Sequence, residues 1–552
     1  MPTIILDKKR IFRSLNKELS LEELERLLEY LKCEIKEEKE DELICEITTD
    51  RADCFTTEGI IRALKGILGM EKGLIKFDFF DDEFEVYIDE NVSNVRPYVV
   101  MATVRGVKLD VRALESIIRF QEVLHETLGR NRRKASIGIY DISKLDKKIY
   151  YKCLPLDEIK FRPLDKDELM NGYRILNETE KGIQYKHLIP EKKAPVLIDS
   201  KGTFLSLAPI INSQDAKVTV RTTDILIDST GFDINFITSI VSLMAYAISF
   251  YGGKIGLLNH HYPNKSFKIS FKNRNLVLEK NYVEDILGFS INDYELEDIL
   301  LRARYGIEKK DNKYNVEVPF YRLDVLNSID IIEDIAIIKG YSNIELKSPI
   351  LETRSKISNK SIIARTFREI FNGFGFQEVT NYMICNSETQ TEKVMLNKEE
   401  IGLILLVNPI SKEYDCIRAN IFPCLLDFLY YNRSYSYPQK IYEIGDVIYY
   451  KSNSIHTDFR FSSLIIHNDA SFEEMHSFLY SSFKVLNLDF RLRGNDLPFL
   501  LNGRRADIIV GDENIGWIGE INPEISIGFS LYQPIVACEL SLSKILKFIF
   551  NK

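Results

Sequence analysis

The spacing of apolar and polar positions divides the chain into stretches of different texture. Leu21, Leu24, Leu27, Leu28 and Leu31 recur at helical spacing behind Ser20 and Glu23, a capping-box pair in which hydroxyl and carboxylate satisfy free N–H groups at a helix start. The acidic-basic run EIKEEKEDEL (34–43) is expected to be a solvated helix end or loop, and LICEIT (43–48) a strand. Thr57 begins a helix carrying Ile60, Ile61, Leu64 and Leu68, stopped by Gly69. From about residue 90 the pattern turns to short β-rich runs: YVVMATVRGVKL (98–109), ASIGIYDI (135–142), APVLID (194–199) and FLSLAPII (204–211). A helix over 111–128, ending at Gly129, interrupts them. Segment 234–253 carries no charge over 20 residues, long enough to cross a bilayer. However, Asn235, Thr238, Ser239, Ser242 and Ser249 make it polar, while Ile237, Ile240, Val241, Met244 and Ile248 keep helical spacing. A buried core helix is expected instead.

Residues 266–348 spell a strand, two short helices, the strand KYNVEVPFYR (313–322) and another helix. The remainder, 355–552, mixes amphipathic helices with strands such as QKIYEIGDVIYY (439–450) and IGWIGEI (515–521). The whole is an α+β pattern of about three to four domains at roughly 150 residues each. The expected boundaries are 1–90, 91–262, 266–348 and 355–552, packed as one body because no Pro/Ser-rich linker separates them.

Composition narrows the function classes. Hydrophobic residues at 45% and charged residues at 28% exclude wholesale disorder. With 73 Lys+Arg against 82 Asp+Glu the formal charge is -9, so the chain is no basic nucleic-acid coat; any RNA contact needs a local basic patch or a partner chain. Eight dispersed cysteines without a Cys-x-x-Cys pair read as reduced thiols, and seven histidines without His-Glu-x-x-His argue against a zinc hydrolase. The opening MPTIILDKKR has charges by its seventh residue and no apolar run, so no secretory signal is expected and the chain is placed in the cytoplasm.

Three constellations could carry chemistry. Behind PFYRLD (319–324), Asp330, Glu333 and Asp334 stand at i, i+3 and i+4 on one helix face, with Ile331, Ile332, Ile335 and Ile338 on the other. Such carboxylates repel by roughly 0.2–0.5 kcal/mol per exposed pair. A hard cation such as Mg2+, or an arginine from another chain, would relieve that; acids near a helix N-terminus also simply suit its dipole. GRNRRK (129–134) places four positive charges in five residues, either a phosphate-contacting loop or a solvated loop at a helix C-terminus. Ser206, Asn212, Ser213, Asp228 and Thr230 lie among apolar residues of a β-rich region, as a polar pocket lining or as turn and capping residues. In the last third, Arg418 and YEIGDV (442–447) occur without a Gly-rich phosphate loop, so nucleotide catalysis in this chain is unsupported.

These stretches, in order, resemble the β-subunit family of phenylalanine–tRNA ligases in its shorter archaeal and eukaryotic-cytosolic form. The resemblance rests on DRADCFTTEGIIRALKGILG (50–69), HETLGRNRRKASIGIYD (125–141), LAPIINS (207–213), IDSTGFD (227–233), VPFYRLDVLNSIDIIEDIAIIKGYSNI (318–344), GFGFQEVTNYM (373–383) and GWIGEINPE (516–524). It implies an N-terminal module, a B3/B4-like editing domain, a small B5-like domain and an inactive core like that of class II ligases. It also implies an α2β2 tetramer with an α subunit that carries the synthetic site, ATP as substrate, tRNA(Phe) as partner and no membrane. Position by position, Asp324, Asp330, Glu333 and Asp334 match the family's Mg2+ ligands, and Leu197, Ser206 and Asp228 match its editing pocket, which hydrolyses tRNA(Phe) mischarged with tyrosine. Arg418 resembles a relic of the class II motif 2 arginine. Tyr140 and Asn522 stand where many relatives have histidine. At 552 residues no room is expected for the oligonucleotide-binding and anticodon-binding additions of bacterial-type subunits. Two other readings stay open: a free-standing RNA-binding or interaction protein, and a stand-alone hydrolase of mischarged tRNA.

Overall fold

Ser20 Oγ accepts the Glu23 N–H at 3.2 Å while Glu23 Oε2 accepts the Ser20 N–H at 2.9 Å, and this reciprocal cap starts the helix Leu21–Glu29. Of the charged run beyond it only residues 39–41 form the expected loop, and the rest is strand. Cys33–Glu38 is a strand at the edge of a three-stranded antiparallel sheet whose centre is Glu42–Ile47. Cys33 is buried and Ile35 half-buried, while Glu34 and Lys36 point outward. Alternation, not charge density, decides the element, and charges on an edge strand discourage pairing with another chain.

The computed structural model describes residues 1–350 and 352–550. They form two compact units, Met1–Lys347 and Ser348–Lys552. The first thus spans the three regions set apart in the sequence before residue 348.

The centre of the first unit is a ten-stranded sheet. Its strand order is Ile211–Asn212, Phe204–Leu207, Lys193–Asp199, Lys148–Pro155, Phe79–Ile88, Lys254–Tyr262, Tyr98–Arg105, Asp224–Gly231 and Ala135–Asp141, with Lys265–Lys268 paired to Lys254–Tyr262. The uncharged segment forms the helix Ile234–Ser249, whose Ile237, Ile240, Val241, Met244 and Ile248 are buried against strands Tyr98–Arg105 and Asp224–Gly231. Among the described residues no helix is long and apolar enough to cross a membrane. The expected helix over 111–128 is Val111–Glu126, capped by Asp110, which accepts the Ala113 N–H.

The sheet curls until the two ends of its strand order approach. Tyr140 on the last strand lies with its hydroxyl 3.0 Å from Ser206 Oγ near the first, and Asn212 Nδ2 lies 3.5 Å from the Ile139 carbonyl. Phe84, Val86, Tyr151, Leu197 and Leu226 fill the space enclosed. Residues 274–339 add a three-stranded sheet in the order Arg274–Glu279, Lys313–Val318, Gly306–Lys310, with helices Lys280–Leu287, Asp293–Arg302 and Ser328–Lys339.

The second unit is a seven-stranded sheet, antiparallel except for the short edge strand Gln377–Glu378. Helices Asn359–Gly373, Phe472–Val485 and Leu542–Phe550 cover one face through Phe367, Phe371, Leu479 and Ile545. Helix Phe422–Tyr431 covers the other through Phe422, Leu425 and Leu429. The α+β expectation holds for both units.

Candidate functional site

Where the curled sheet meets itself lies a cavity of about 150 Å3. Asp228 and Gly138 face each other in register, as do Leu226 and Tyr140. Because side chains two apart share a strand face, these four positions look the same way. Gly138 leaves the room that the site needs: a Cβ there would stand 2.1 Å from both Asp228 Oδ1 and the Tyr140 hydroxyl. Without that Cβ the Tyr140 ring reaches past its neighbour and donates its hydroxyl to Asp228 Oδ1 at 2.6 Å. With the phenolic hydrogen committed, Ser206 Oγ, 3.0 Å away, donates back to the phenol oxygen.

All three groups are buried. Burial pushes the Asp228 carboxyl up to about 7, and the Tyr140 hydrogen bond and the Arg96 guanidinium offset this only in part. Burial also raises the Tyr140 phenol, and the Asp228 charge raises it further. Arg96 faces the next residue pair along: Nε donates to Thr230 Oγ1 at 2.8 Å and Nη2 to the Thr230 carbonyl at 2.7 Å.

The walls are apolar, from Ile139, Leu207, Ala208, Ile210 and Val218, and the mouth carries Glu122, Arg132 and Lys181. Arg132 belongs to the basic loop, yet it is buried: Nη1 donates to the Ile210 carbonyl at 2.7 Å and Nη2 to Glu122 at 3.0 Å. Arg130, Asn131 and Arg132 all have φ between 50° and 64°, the left-handed backbone that turns this side chain inward. Neither phosphate-contacting nor solvated describes this arginine; it fastens one pocket wall to the other. Of the pocket residues read from the sequence, Ser206 and Asp228 line the cavity and are joined through Tyr140. Leu197 pairs opposite Ser206 but is buried in the adjoining core, outside the lining. In the sequence Tyr140 stands out only as a departure from its relatives; its place two residues from a glycine in an alternating strand is the signal that it spans to Asp228.

The second set of carboxylates is dispersed among separate partners. Asp324 is gripped by Arg322 Nε and Nη2 at 2.9 and 2.7 Å, and the same Nη2 reaches Asp334 at 2.7 Å. Asp334 also accepts the Tyr305 hydroxyl at 2.5 Å. Asp330 Oδ2 accepts the N–H groups of Leu326 and Asn327, capping its own helix. Glu333 points away to Lys32, at 2.8 Å. Burial acts to raise Asp324, and Arg322 with Arg51 outweighs it, holding the carboxyl below the usual range. A hard cation needs several oxygens converging on one point. Among the described residues no three acidic, histidine or cysteine side chains do so. These four donors do not fit one Mg2+ centre as arranged, because an arginine already lies between two of them.

Arg418 in the second unit is sealed. Its Nη1 pairs with buried Glu443 and its Nε donates to the Asp446 carbonyl at 3.0 Å. A Cβ on Gly445 would meet its Nη2 at 2.2 Å. This geometry is that of a strand-bracing ion pair.

Comparison with known proteins adds a second line. Residues 86–244 match the B3/4 domain, 276–341 the tRNA synthetase B5 domain, and 344–542 the phenylalanyl tRNA synthetase beta chain CLM domain. The phenylalanine–tRNA ligase beta subunit of Methanocaldococcus jannaschii is 35% identical over 552 residues, covering 98% of this chain and 100% of that one. The beta subunit of Saccharolobus solfataricus is 34% identical over 557 residues, covering 99% of each. A crystal structure of an N-terminal fragment of the phenylalanyl-tRNA synthetase beta subunit from Pyrococcus horikoshii is 34% identical, with a TM-score of 0.60, covering 62% of this chain and 100% of that one.

Proposed function

The chain belongs to the phenylalanine–tRNA ligase β-subunit family, and on that premise we propose that it works with an α subunit, as α2β2, to attach phenylalanine to tRNA(Phe) in the cytoplasm. ATP, with its Mg2+, is used on the partner. In this chain the second unit is a scaffold: Arg418, the side chain that could have met a nucleotide, is buried against Glu443 and has no free face. We assign the four segments 1–90, 91–262, 266–348 and 355–552 to an N-terminal module, an editing domain, a B5 domain and the catalytic-like core.

The cavity at the sheet seam deacylates tRNA(Phe) mischarged with tyrosine. A purely apolar synthetic pocket cannot strongly reject a substrate that only adds a hydroxyl, so a second pocket that reads the hydroxyl is needed. One observation carries this reading: a buried carboxyl and a buried serine hydroxyl, Asp228 and Ser206, line one largely apolar cavity and are joined through the Tyr140 hydroxyl. Water attacks the ester carbonyl, the bond to the terminal ribose oxygen breaks, and that oxygen takes the proton. The lining holds no histidine or cysteine. Orientation of the water by the pocket and by the tRNA's own ribose hydroxyls therefore replaces an imidazole base. Reconstitution tests the reading: the chain with its α partner should charge tRNA(Phe). Failure of the pair to charge would overturn the ligase assignment, and deacylation by the lone chain would favour an independent hydrolase.

A further inference from the structure

A carboxylate at the end of an apolar pocket is a device for recognising a hydroxyl, because an unmatched buried acceptor is costly and an apolar ligand cannot satisfy it. Here the acceptor already has a hydroxyl. Tyr140 donates to Asp228 Oδ1 at 2.6 Å and lies 3.0 Å from Ser206 Oγ, so both polar groups of the floor face a phenol that belongs to the chain. The ring is 1% exposed and packs in the enclosed core with Phe84 and Leu226. Gly138 leaves the gap through which it reaches. The remaining cavity, about 150 Å3, is of the size at which an apolar cavity accepts a single benzene-like ring.

We propose that Tyr140 is a specificity-determining residue of this pocket: its phenol takes the place at Asp228 and Ser206 that the hydroxyl of an incoming tyrosyl group would take. The chain's own side chain thereby competes with the substrate class the pocket reads. The inference rests on the editing reading of this cavity. The hydrogen bonds alone have two consequences. A tyrosyl group gains the polar floor only by displacing Tyr140, which slows its recognition. A phenylalanyl group meets a floor whose acceptors are already satisfied, so nothing in the floor rejects it. The pocket therefore separates tyrosyl from phenylalanyl poorly, and removing the Tyr140 phenol restores the separation.

The test measures binding of L-tyrosinamide and L-phenylalaninamide to the purified full chain, wild type and variants, with circular dichroism to show that each is folded. Tyr140→Ala should raise the tyrosinamide-to-phenylalaninamide affinity ratio by about threefold to tenfold, the worth of one buried hydrogen bond. Asp228→Asn in the Tyr140→Ala background should remove most of that gain. Added space alone would strengthen both ligands equally and leave the ratio unchanged, which overturns the proposal. If Tyr140→Ala does not fold, Tyr140→Phe decides: it keeps the ring and drops the competing hydroxyl, and its ratio must exceed that of wild type. Deacylation of Tyr-tRNA(Phe) by the complex with its α partner is read separately. Variants that shift the binding ratio without deacylating in any form uphold the role of Tyr140 and overturn editing. Deacylation with an unmoved ratio does the reverse.

Discussion

Two acidic sites in the first unit, Asp228 fully buried and Asp324 with Asp334 half-buried, settle their charge in opposite ways. Asp228 is held by a neutral phenol, and burial raises its carboxyl to about 7. Asp324 and Asp334 are held by a guanidinium, and Asp324 lies below the usual range even though burial acts to raise it. At Asp228 burial prevails over the hydrogen bond and favours the neutral form, whereas at Asp324 the guanidinium prevails over burial and keeps the charge. A carboxylate locked to arginine cannot let go without leaving a bare charge behind, and that suits a brace.

Breaking the locked site should have the largest effect. Arg322→Ala removes the guanidinium that joins Asp324 to Asp334, leaving only the Arg51 charge near Asp324, and should destabilise the first unit by about 3 kcal/mol in denaturant unfolding. A loss under about 1 kcal/mol would mean that solvent or a cation compensates them. Gly138→Ala comes next. Its Cβ would push between the Asp228 oxygen and the Tyr140 hydroxyl, at a cost of about 1–3 kcal/mol from overpacking. Unchanged stability would show that the phenol is not held there.

The pH dependence sharpens the contrast further. Folded chains keep a proton on Asp228 up to about pH 7, whereas unfolded chains release it near the ordinary value of 3.8. That group's contribution is therefore full below pH 3.8 and is lost as pH rises to 7. Buried His260 and His125, lowered by desolvation to about 3 and about 4, act with the other sign: their contribution is full above pH 6.5 and is lost as pH falls. The difference in stability between wild type and Asp228→Asn should change between about pH 4 and 7 and be flat above it. A flat difference throughout would place the Asp228 carboxyl at its ordinary value. The smallest effect belongs to Glu333→Gln. Its half-exposed bridge to Lys32 is worth about 0–1 kcal/mol, and the magnesium content of the α-containing complex should not change. Loss of one magnesium per chain would show that the four carboxylates gather around a cation once the partner binds.

Local signals are legible in the sequence where the physics is local. The Ser20–Glu23 capping box, the core helix Ile234–Ser249 and the acidic helix Ser328–Lys339 all follow from spacing within a few turns. The run at 34–43 misleads because charge density hides a period-two pattern around Cys33 and Ile35. Asp228 and Ser206 are readable as candidates, but their meeting is not. It needs the whole sheet to curl, and no spacing shows that a hydroxyl at position 140 reaches one at 206. Arg322 is inside the acidic motif, two residues from Asp324, yet only the fold turns it to bridge Asp324 and Asp334. Arg132 likewise hides within a basic run whose neighbours face solvent.

The seam of the curled sheet works as a clasp. One jaw is the strand Ala135–Asp141 and the other is the stretch around Ala208–Asn212, with Arg132 as the pin through the Ile210 carbonyl. The opening between the jaws is the accumulated twist of all the strands between them, so its width is a property of the sheet as a whole. A packing change far around that circuit, in a residue touching nothing in the pocket, can reach the gauge of the pocket through the twist of the sheet. The gauge of the pocket can thus be set at a distance, with the sheet acting as the screw.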